Sequence, residues 1–375
     1  MRILHTSDWH IGKTLGGYSL LSDQKYFLDQ ILVLIDSECI DVLLIAGDIY
    51  QTSTPSSQAV QLLNDFFVQV VKKRKKRVVA IAGNHDSPER LEYLGQLLEQ
   101  SGFYIQGGIS DSARRIIIED GYIRVAFDLL PYLSPNMIKQ LSDDLKTLSL
   151  QDYIRQSLDA LSKDSSLCHA KILVAHGLYL NLHEVNQEDE CLAIGGVDAI
   201  DLSVFPDYDY IALGHLHAPK RVSTNALYSG SPINYSPISR DCQNGVQIID
   251  IAIDGAITTK QVQIRPLREV RTMNGTLKEL LQQPSDDYVF AYLKDEEYRL
   301  GALKRMKEIF PHILGLQYIS LTHEARQTLC PSMKERKSVE SMFADFYLYS
   351  TGKSLSEKEL GLLKGILEEV TNEVD

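Results

Sequence analysis

Four short apolar segments of the chain each end in a group of polar residues. The segments cover residues 2–5, 42–45, 78–81 and 172–174. Continuous aliphatic runs of this kind are typical of strands that are buried on both faces. Between the second and third segments, Val60, Leu63 and Phe67 recur at helical spacing, shortly after Pro55. Alternating strands and helices predict an α/β domain in which the polar groups follow the carboxyl ends of the strands.

From about residue 187 the pattern changes to short strands separated by turn residues. The strands predicted over 210–213, 226–228 and 246–253 indicate a second, more antiparallel sheet that closes the same core. Helices at 277–281 and 303–309 and strands at 288–293 and 316–321 then predict a small α/β unit. Two amphipathic helices follow a basic linker, and a capping box from Ser356 to Glu359 begins the second. We therefore predict four parts: 1–262, 263–325, the linker 326–337 and the helical pair 338–375.

Composition and charge narrow the class of protein. Of 375 residues, 44% are apolar and 23% charged, which is ordinary for a folded globular chain. The formal net charge of −12 argues against a protein that coats polyanions over its whole surface. No apolar run is long enough to cross a bilayer. The five cysteines are scattered and form no CxxC pair, so we expect reduced thiols and a cytoplasmic protein without a membrane span.

The polar groups after the strands contain residues that bind metals or phosphate. These residues are Asp8, His10, Asp48, Asn84, His85, His176, His215 and His217. A lone histidine after a strand is more often structural, but five of the ten histidines of the chain fall in these groups. Carboxylate, imidazole and amide donors without thiolates suit Mn²⁺, Fe²⁺ or Zn²⁺ better than Ca²⁺. The donors suffice for two ions that share one carboxylate.

Five motifs in this order resemble the calcineurin-like metallophosphoesterase superfamily. They are Asp8-x-His10, Gly47-Asp48, Gly83-Asn84-His85-Asp86, His176-Gly177 and Gly214-His215-x-His217. Within the superfamily, residues 6–13, 47–50, 214–219 and 228–232 are similar to the SbcD family, the nuclease subunits of SbcCD complexes. The resemblance implies a two-sheet α/β sandwich flanked by helices, a small α/β domain that caps DNA, and a C-terminal helical pair.

The resemblance also implies a role for each site residue. Asp8, His10, Asp48 and His217 would hold one divalent ion, and Asp48, Asn84, His176 and His215 the other, with Mn²⁺ as the expected metal. His85 would be the catalytic imidazole, which hydrogen-bonds the scissile phosphate or protonates the leaving oxygen. Its neighbour Asp86 either orients His85 or caps the following helix.

The resemblance further implies that the protein cleaves DNA together with a partner. Expected activities are a 3′-to-5′ double-strand exonuclease and a single-strand, hairpin-opening endonuclease, in recombination, repair and replication near the nucleoid. The partner would be SbcC, an SMC-like ATPase, in a heterotetramer-type complex that contains a homodimer of this chain. The helical pair would dock SbcC through Phe343, Phe346, Leu363 and Leu367, although it could instead pack on the body of the protein.

Contacts with DNA are expected from basic residues beside the motifs: Lys13, Arg90, Lys220 and Arg221. The basic run 72–77 is either a solvated helix end or a contact for DNA or a partner. The leucines at 91, 94, 97 and 98, with Leu62 and Phe66, either form the dimer interface or face the core of their own domain.

Two other functions compete with the nuclease. One is a phosphatase or phosphodiesterase for a small phosphoester or a phosphoprotein, but Gly47-Asp48 is not followed by the Asp-Arg-Gly motif of the protein phosphatases. The other is a scaffold without catalytic activity, which the complete set of ligands disfavours.

Overall fold

The computed structural model describes most of the first 319 residues and short pieces beyond them. The described residues are 1–108, 113–139, 148–162, 168–182, 193–194, 197–205, 207–236, 243–319, 343–344, 347, 354–356, 359–361 and 363. Contacts divide the chain into one unit of Met1–Leu293 and Arg299–Gln317, and a second of Lys294–Tyr298 and Tyr318–Asp375. Most of the helical pair predicted over 338–375 lies outside the described residues.

A six-stranded sheet, here called sheet A, holds the first three predicted strands. Its spatial order is Ile257–Gln263, Gly245–Ile251, Arg2–Thr6, Val42–Ala46, Arg77–Ile81 and Phe103–Gln106. The last four strands run parallel, and Gly245–Ile251 joins antiparallel to Arg2–Thr6. Our assignment of the strand near 246–253 to the second sheet was therefore wrong. An apolar run shows that a strand is buried, but it does not specify the strand's neighbour.

A second six-stranded sheet, sheet B, holds the fourth predicted strand. Its spatial order is Lys220–Arg221, Ala226–Tyr228, Tyr210–Gly214, Ala170–His176, Ile123–Leu130 and Arg114–Asp120. Its four inner strands run parallel, and only the two edge strands are antiparallel. The expectation of a mainly antiparallel sheet is corrected accordingly.

The two sheets stack face to face and each carries helices on its outer face. Along Val42–Ala46, alternate side chains serve different cores: Leu44 packs between the sheets, and Leu43 packs under the helices of sheet A. Phe127 of sheet B also lies in the core between the sheets, and Ile154 lies in the core under the helix of sheet B. This alternation explains the continuous aliphatic runs in the sequence, because both faces of these strands are buried.

The helices and the remaining strands complete the described fold. The helices are Leu21–Ser37, Ser57–Phe67, Pro88–Glu92, Gly95–Glu99, Pro135–Ile138, Leu150–Ser162, Leu277–Leu280 and Ala302–Ile309, with a π-helical segment Val68–Lys73 and a 3₁₀ turn Leu202–Val204. Two-stranded ribbons pair Thr14–Leu15 with Tyr18–Ser19, Tyr179–Leu180 with Ile200–Asp201, and Ala193–Ile194 with Val197–Asp198.

A third sheet lies in the region predicted as a small α/β unit. Its strands are Val270–Gly275, Tyr288–Leu293 and Ile313–Tyr318, in that spatial order. The strand at 288–293 is confirmed, whereas Val270–Gly275 was not anticipated and the last strand begins three residues earlier than predicted. In the second unit, the predicted capping box forms, since Ser356 N–H donates to Glu359 Oε2 at 2.8 Å.

Candidate metal centre

The site lies where the parallel strands of both sheets end. In sheet A, Thr6 pairs with Ile45 and Ala46 with Ile81; in sheet B, His176 pairs with Gly214. These strands therefore end at the same level, and the loops that follow them meet above the two sheets. All seven predicted metal ligands and His85 come together there, although they are spread over more than two hundred positions of the chain.

The first donor set contains Asp8, His10 and His217, whose ligand atoms all lie within 4.8 Å of one another. The Nε2 atoms of His10 and His217 are 3.0 Å apart, and His10 Nε2 is 3.5 Å from Asp48 Oδ2. Two imidazole nitrogens and two carboxylates that converge in this way are a suitable donor set for a divalent transition metal.

The second donor set lies beside the first and shares Asp48 with it. Asp48 Oδ2 is 3.6 Å from His176 Nε2. Asn84 Oδ1 is 3.2 Å from the same nitrogen and 3.1 Å from His215 Nδ1. One carboxylate oxygen thus faces histidines of both sets, which is the arrangement a bridging ligand requires.

Further contacts fix the orientation of the donors. His176 Nδ1 lies 2.7 Å from the carbonyl oxygen of Ala46, so Nδ1 carries the proton and Nε2 presents its lone pair to the centre. Asp8 accepts the Ser7 hydroxyl and the backbone N–H of His215, and Ser7 Oγ lies 2.8 Å from Ser229 Oγ. Both serines are fully buried. The carboxylate is therefore held in place before any ion binds.

The backbone at the site adopts conformations that side chains usually avoid. Asp8, His10, Asp48 and His215 have φ values of +54°, +46°, +52° and +110°. Two loop-to-loop hydrogen bonds of 3.0 Å hold the first three, from Asp8 N–H to the Gly47 carbonyl and from His10 N–H to that of Asp48. Clusters of strained non-glycine residues are characteristic of functional sites, where the surrounding structure imposes them.

The loops also pack closely enough to require glycine. A Cβ atom at Gly83 would overlap Oδ1 and the backbone nitrogen of Asp48. Position 83 must therefore be glycine, because any side chain there would displace the shared carboxylate of Asp48.

Burial and mutual repulsion separate the pKa values of the two acids. Burial raises the pKa of Asp8 well above its ordinary value, and the charge of Asp48 adds to the rise. Burial also acts to raise the pKa of Asp48, but the pKa lies below its usual value, because a proton on His176 or His10 and the backbone N–H of His85 favour the charged carboxylate.

Three histidines of the donor sets, His10, His215 and His217, stay neutral near pH 7. Desolvation lowers the pKa of His10 to about 2 and the pKa values of His215 and His217 to about 4. Within the part of the chain that the structure describes, no lysine or arginine forms an ion pair with Asp8 or Asp48. Neutral imidazoles and two acids without a cationic partner are the donors that a divalent metal needs, so the site fits the metals implied by the sequence.

His85 lies next to the first donor set, with its ring centroid 4.8 Å from that of His10. Its backbone N–H donates to Asp48 Oδ1 at 2.9 Å, and its Nδ1 lies 2.9 Å from the carbonyl oxygen of Gln51. Because a carbonyl can only accept, Nδ1 carries a proton and Nε2 is left to act on a substrate.

Asp86 has neither of the roles that the sequence suggested. Its carboxylate accepts three backbone N–H groups, from Ile49, Tyr50 and Gly83, at 2.8 to 3.1 Å. The helix Pro88–Glu92 has Ser87 at its N-cap, without a capping side-chain bond. Asp86 therefore joins the loop of Asp48 to the loop of Asn84, a contact that sequence spacing could not show.

The basic candidates occupy different surroundings. Lys13 is half-buried: its Nζ donates to Gln51 Oε1 at 3.0 Å and lies 5.3 Å from the ring centre of Tyr235. Arg90 is exposed on its short helix, and Lys220 is half-buried in an edge strand. Arg221 instead bonds the Thr224 carbonyl and Thr259 Oγ1, at 2.9 and 3.0 Å.

The residues predicted to contact partners differ in their exposure. Phe343 is exposed and Leu363 is half-buried, whereas Phe346 and Leu367 lie outside the described residues. Leu94, Leu97 and Leu98 are exposed, Leu91 and Leu62 half-buried, and Phe66 buried. Within the described residues, no helix is both long and apolar enough to span a membrane.

Comparison with known proteins identifies the family of the chain. Residues 1–219 match calcineurin-like phosphoesterases, and residues 263–351 match the type 5 capsule protein repressor C-terminal domain. The chain belongs to the calcineurin-like phosphoesterase family, a class of metal-dependent hydrolases of phosphoester bonds. It is 28% identical, over 373 residues, to the SbcD subunit of the nuclease SbcCD of Staphylococcus epidermidis, and the match covers 98% of each chain. The resemblance, the fold class and the hydrolase class predicted from the sequence are thus confirmed.

The solved structures that match the chain are more distant. GAP50, the anchor in the inner membrane complex of Plasmodium, is 11% identical, with 84% of this chain and 96% of that chain covered and a TM-score of 0.38. The NAD nucleotidase of Haemophilus influenzae is 12% identical, with coverage of 93% and 71% and a TM-score of 0.38.

Proposed function

We propose that this protein is the metal-dependent DNA nuclease subunit of an SbcCD-type complex. The observation that carries the proposal is the pair of donor sets joined by Asp48, which suits two-metal hydrolysis of a phosphodiester. The full-length similarity to a curated nuclease subunit supports DNA as the substrate. The assignment of Asp8, His10, Asp48 and His217 to one ion, and of Asp48, Asn84, His176 and His215 to the other, is part of the proposal.

Each group then has a defined task. The bound ions, with Mn²⁺ as the proposed metal, would polarise the scissile phosphate and neutralise its charge. Asp48 holds the two donor sets at a fixed separation, and Ser7 keeps the Asp8 carboxylate turned inward. In its protonated form, His85 delivers the Nε2 proton to the leaving oxygen, while the Gln51 carbonyl holds Nδ1–H and so fixes the ring.

The proposed activities are those implied by the family. They are 3′-to-5′ exonuclease action on double strands and endonuclease action on single strands and hairpins, in recombination, repair and replication. The protein would act in the cytoplasm near the nucleoid. Lys13, with its ammonium group near the first donor set, is the best supported contact for a DNA phosphate; Arg90, Lys220 and Arg221 are further candidates.

The decisive experiment compares two substrates. The purified chain is incubated in Mn²⁺ with an end-labelled DNA duplex and, separately, with p-nitrophenyl phosphate, a generic phosphomonoester. Shortening of the DNA with little turnover of the monoester is expected, and Asp48→Asn should abolish it. Turnover of the monoester alone would contradict the nuclease and favour a small-substrate phosphatase.

SbcC is the proposed partner, and a homodimer of this chain the proposed core of the complex. Deletion of 338–375 should abolish binding to SbcC and spare Mn²⁺-dependent cleavage by the isolated subunit. Survival of the complex after the deletion would refute docking through the helical pair. For the dimer, Leu97→Glu should halve the mass measured by light scattering, whereas Val33→Glu, at another exposed apolar position, should not.

A further inference from the structure

Tyr132 is a residue of the metal centre that the motifs do not include. It follows the strand Ile123–Leu130, which ends level with the ligand strand beside it, since Leu130 pairs with Ala175. Its neighbours Pro131 and Leu133 are buried, whereas Tyr132 itself is half-exposed. The chain therefore turns one aromatic side chain toward solvent at the mouth of the site.

The position of Tyr132 is fixed from two directions. Its backbone N–H donates to the carbonyl of Ala82 at 3.0 Å, immediately before the loop that carries Asn84. Its ring packs against that of His176, with ring centres 6.3 Å apart and planes at 78°. The side chain thus lies beside the second donor set, held by contacts with the segments that carry the ligands.

The hydroxyl group of Tyr132 is available as a donor. Among the described residues it forms no hydrogen bond, unlike the buried Tyr228, whose hydroxyl bonds the carbonyls of Gly177 and Tyr179. A tyrosine phenol is neutral at physiological pH because its ordinary pKa is about 10. A neutral phenol can donate a hydrogen bond to an anion.

We propose that Tyr132 binds the substrate, by donating a hydrogen bond from its hydroxyl to a phosphate oxygen of the phosphodiester. This inference rests on the proposed function, because it requires a phosphodiester at the metal centre. An anion is the ligand that fits, since a donor that has no acceptor among the described residues stands at the edge of the proposed phosphate-binding site. Lys13, near the first donor set, and Tyr132, near the second, would then contact the same strand from different sides.

The test separates the hydroxyl from the ring. Tyr132→Phe removes only the hydroxyl, and Tyr132→Leu also removes the ring. Tyr122→Phe is the matched control, because Tyr122 is 88% exposed in the turn that precedes the same strand, at its opposite end. Affinity for an oligonucleotide is measured in Ca²⁺, chosen to suppress turnover, kcat/KM is measured in Mn²⁺, and Mn²⁺ affinity is measured by calorimetry.

Tyr132→Phe should weaken oligonucleotide binding and kcat/KM by roughly 10-fold, the loss typical of a hydrogen bond to a charged group. Mn²⁺ affinity should stay unchanged, and Tyr122→Phe should match the wild type. Equal binding by Tyr132→Phe and the wild type, with a loss only in Tyr132→Leu, would overturn the proposal in favour of base stacking or packing. A parallel fall in Mn²⁺ affinity would overturn it in favour of a structural role.

Failure of the proposed function gives a different result. If the wild type binds the oligonucleotide but cleaves only p-nitrophenyl phosphate, the nuclease is refuted while the binding comparison still decides the role of Tyr132. If the wild type binds no oligonucleotide, both proposals are wrong.

Discussion

Replacement of His85 by glutamine tests the proposed acid of the reaction. The change leaves the backbone N–H that donates to Asp48 in place, because that bond belongs to the main chain. None of the assigned metal ligands is altered. The side chain loses the ability to carry and release a proton, while a neutral amide of similar reach remains. The variant should therefore bind metal normally and fail in the chemical step.

The size of the loss follows from the role assigned to the ring. A positioned general acid accelerates a reaction roughly 10²- to 10⁴-fold, which corresponds to about 3 to 5 kcal/mol of barrier. The Gln51 carbonyl, 2.9 Å from Nδ1, already fixes the ring of His85, so we expect a loss near the middle of this range. The loss should appear in kcat, because the group acts on the leaving oxygen in the transition state.

The assay compares DNA with a substrate that needs no acid. Thymidine 5′-p-nitrophenyl phosphate releases p-nitrophenolate, which leaves without a proton, so the defect of His85→Gln should shrink to about 10-fold or less on this diester. His312→Gln is the control, since His312 bonds Asp286 in the third-sheet region. An equal defect on both substrates, or full activity on DNA, would refute the acid role. Reduced metal affinity would reassign His85 to the donor set.

Three further variants test the support of the site and the fold. Ser7→Ala removes a donor to Asp8 and should lower Mn²⁺ affinity about 10- to 100-fold by calorimetry; unchanged affinity would show that the serine does not orient the acid. Gly83→Ala should abolish metal binding and cleavage in a folded protein, judged by circular dichroism, because the new methyl group overlaps Asp48; an active variant would contradict this packing. Burial lowers the pKa of His5 to about 3, against about 6.5 in the unfolded chain. Between these values the unfolded chain binds a proton that the folded chain does not, so stability falls as the pH drops through about 6.5. In urea titrations of metal-free protein, the free energy of unfolding should fall between about pH 7.5 and about pH 5.5. This fall should be about 1.4 kcal/mol smaller for His5→Phe than for the wild type. An equal loss in both would exclude His5 as the cause.

The metal centre could be anticipated because its signal is local. Each ligand follows a buried strand directly, and parallel strands bring such positions to one edge. The sequence therefore indicated Asp8, Asp48 and His176 together without any knowledge of the order of the strands. Only the chemistry of the side chains and the apolar runs before them were needed.

The supporting contacts could not be anticipated, because they join distant segments through hydrogen bonds. Ser229 meets Ser7 across 222 positions, and the partners of Asp86 include two amides 36 and 37 positions away. Tyr132 was missed for another reason. The strand Ile123–Leu130 was not predicted, so the residue that follows it could not be placed beside the ligands.

The pairing of the strands was the other feature that could not be predicted from the sequence. The residues near 246–253 are as apolar as a buried strand should be, yet they pair with the first strand of the chain. Which sheet accepts such a strand depends on the free edge that remains once the rest of the fold has formed. That edge is a property of the whole molecule.

Both donor sets draw on the two sheets at once. His217 comes from a loop of sheet B and joins Asp8 and His10 of sheet A, and His176 of sheet B faces Asp48 of sheet A. An ion held there would be a cross-link between the first and last thirds of the catalytic sandwich. At about a thousandfold excess over its dissociation constant, a ligand specific to the folded state adds about 4 kcal/mol of stability. Loss of the metal would then weaken the interface between the sheets as well as stop hydrolysis. Resistance to proteolysis would therefore show how much of the protein holds metal.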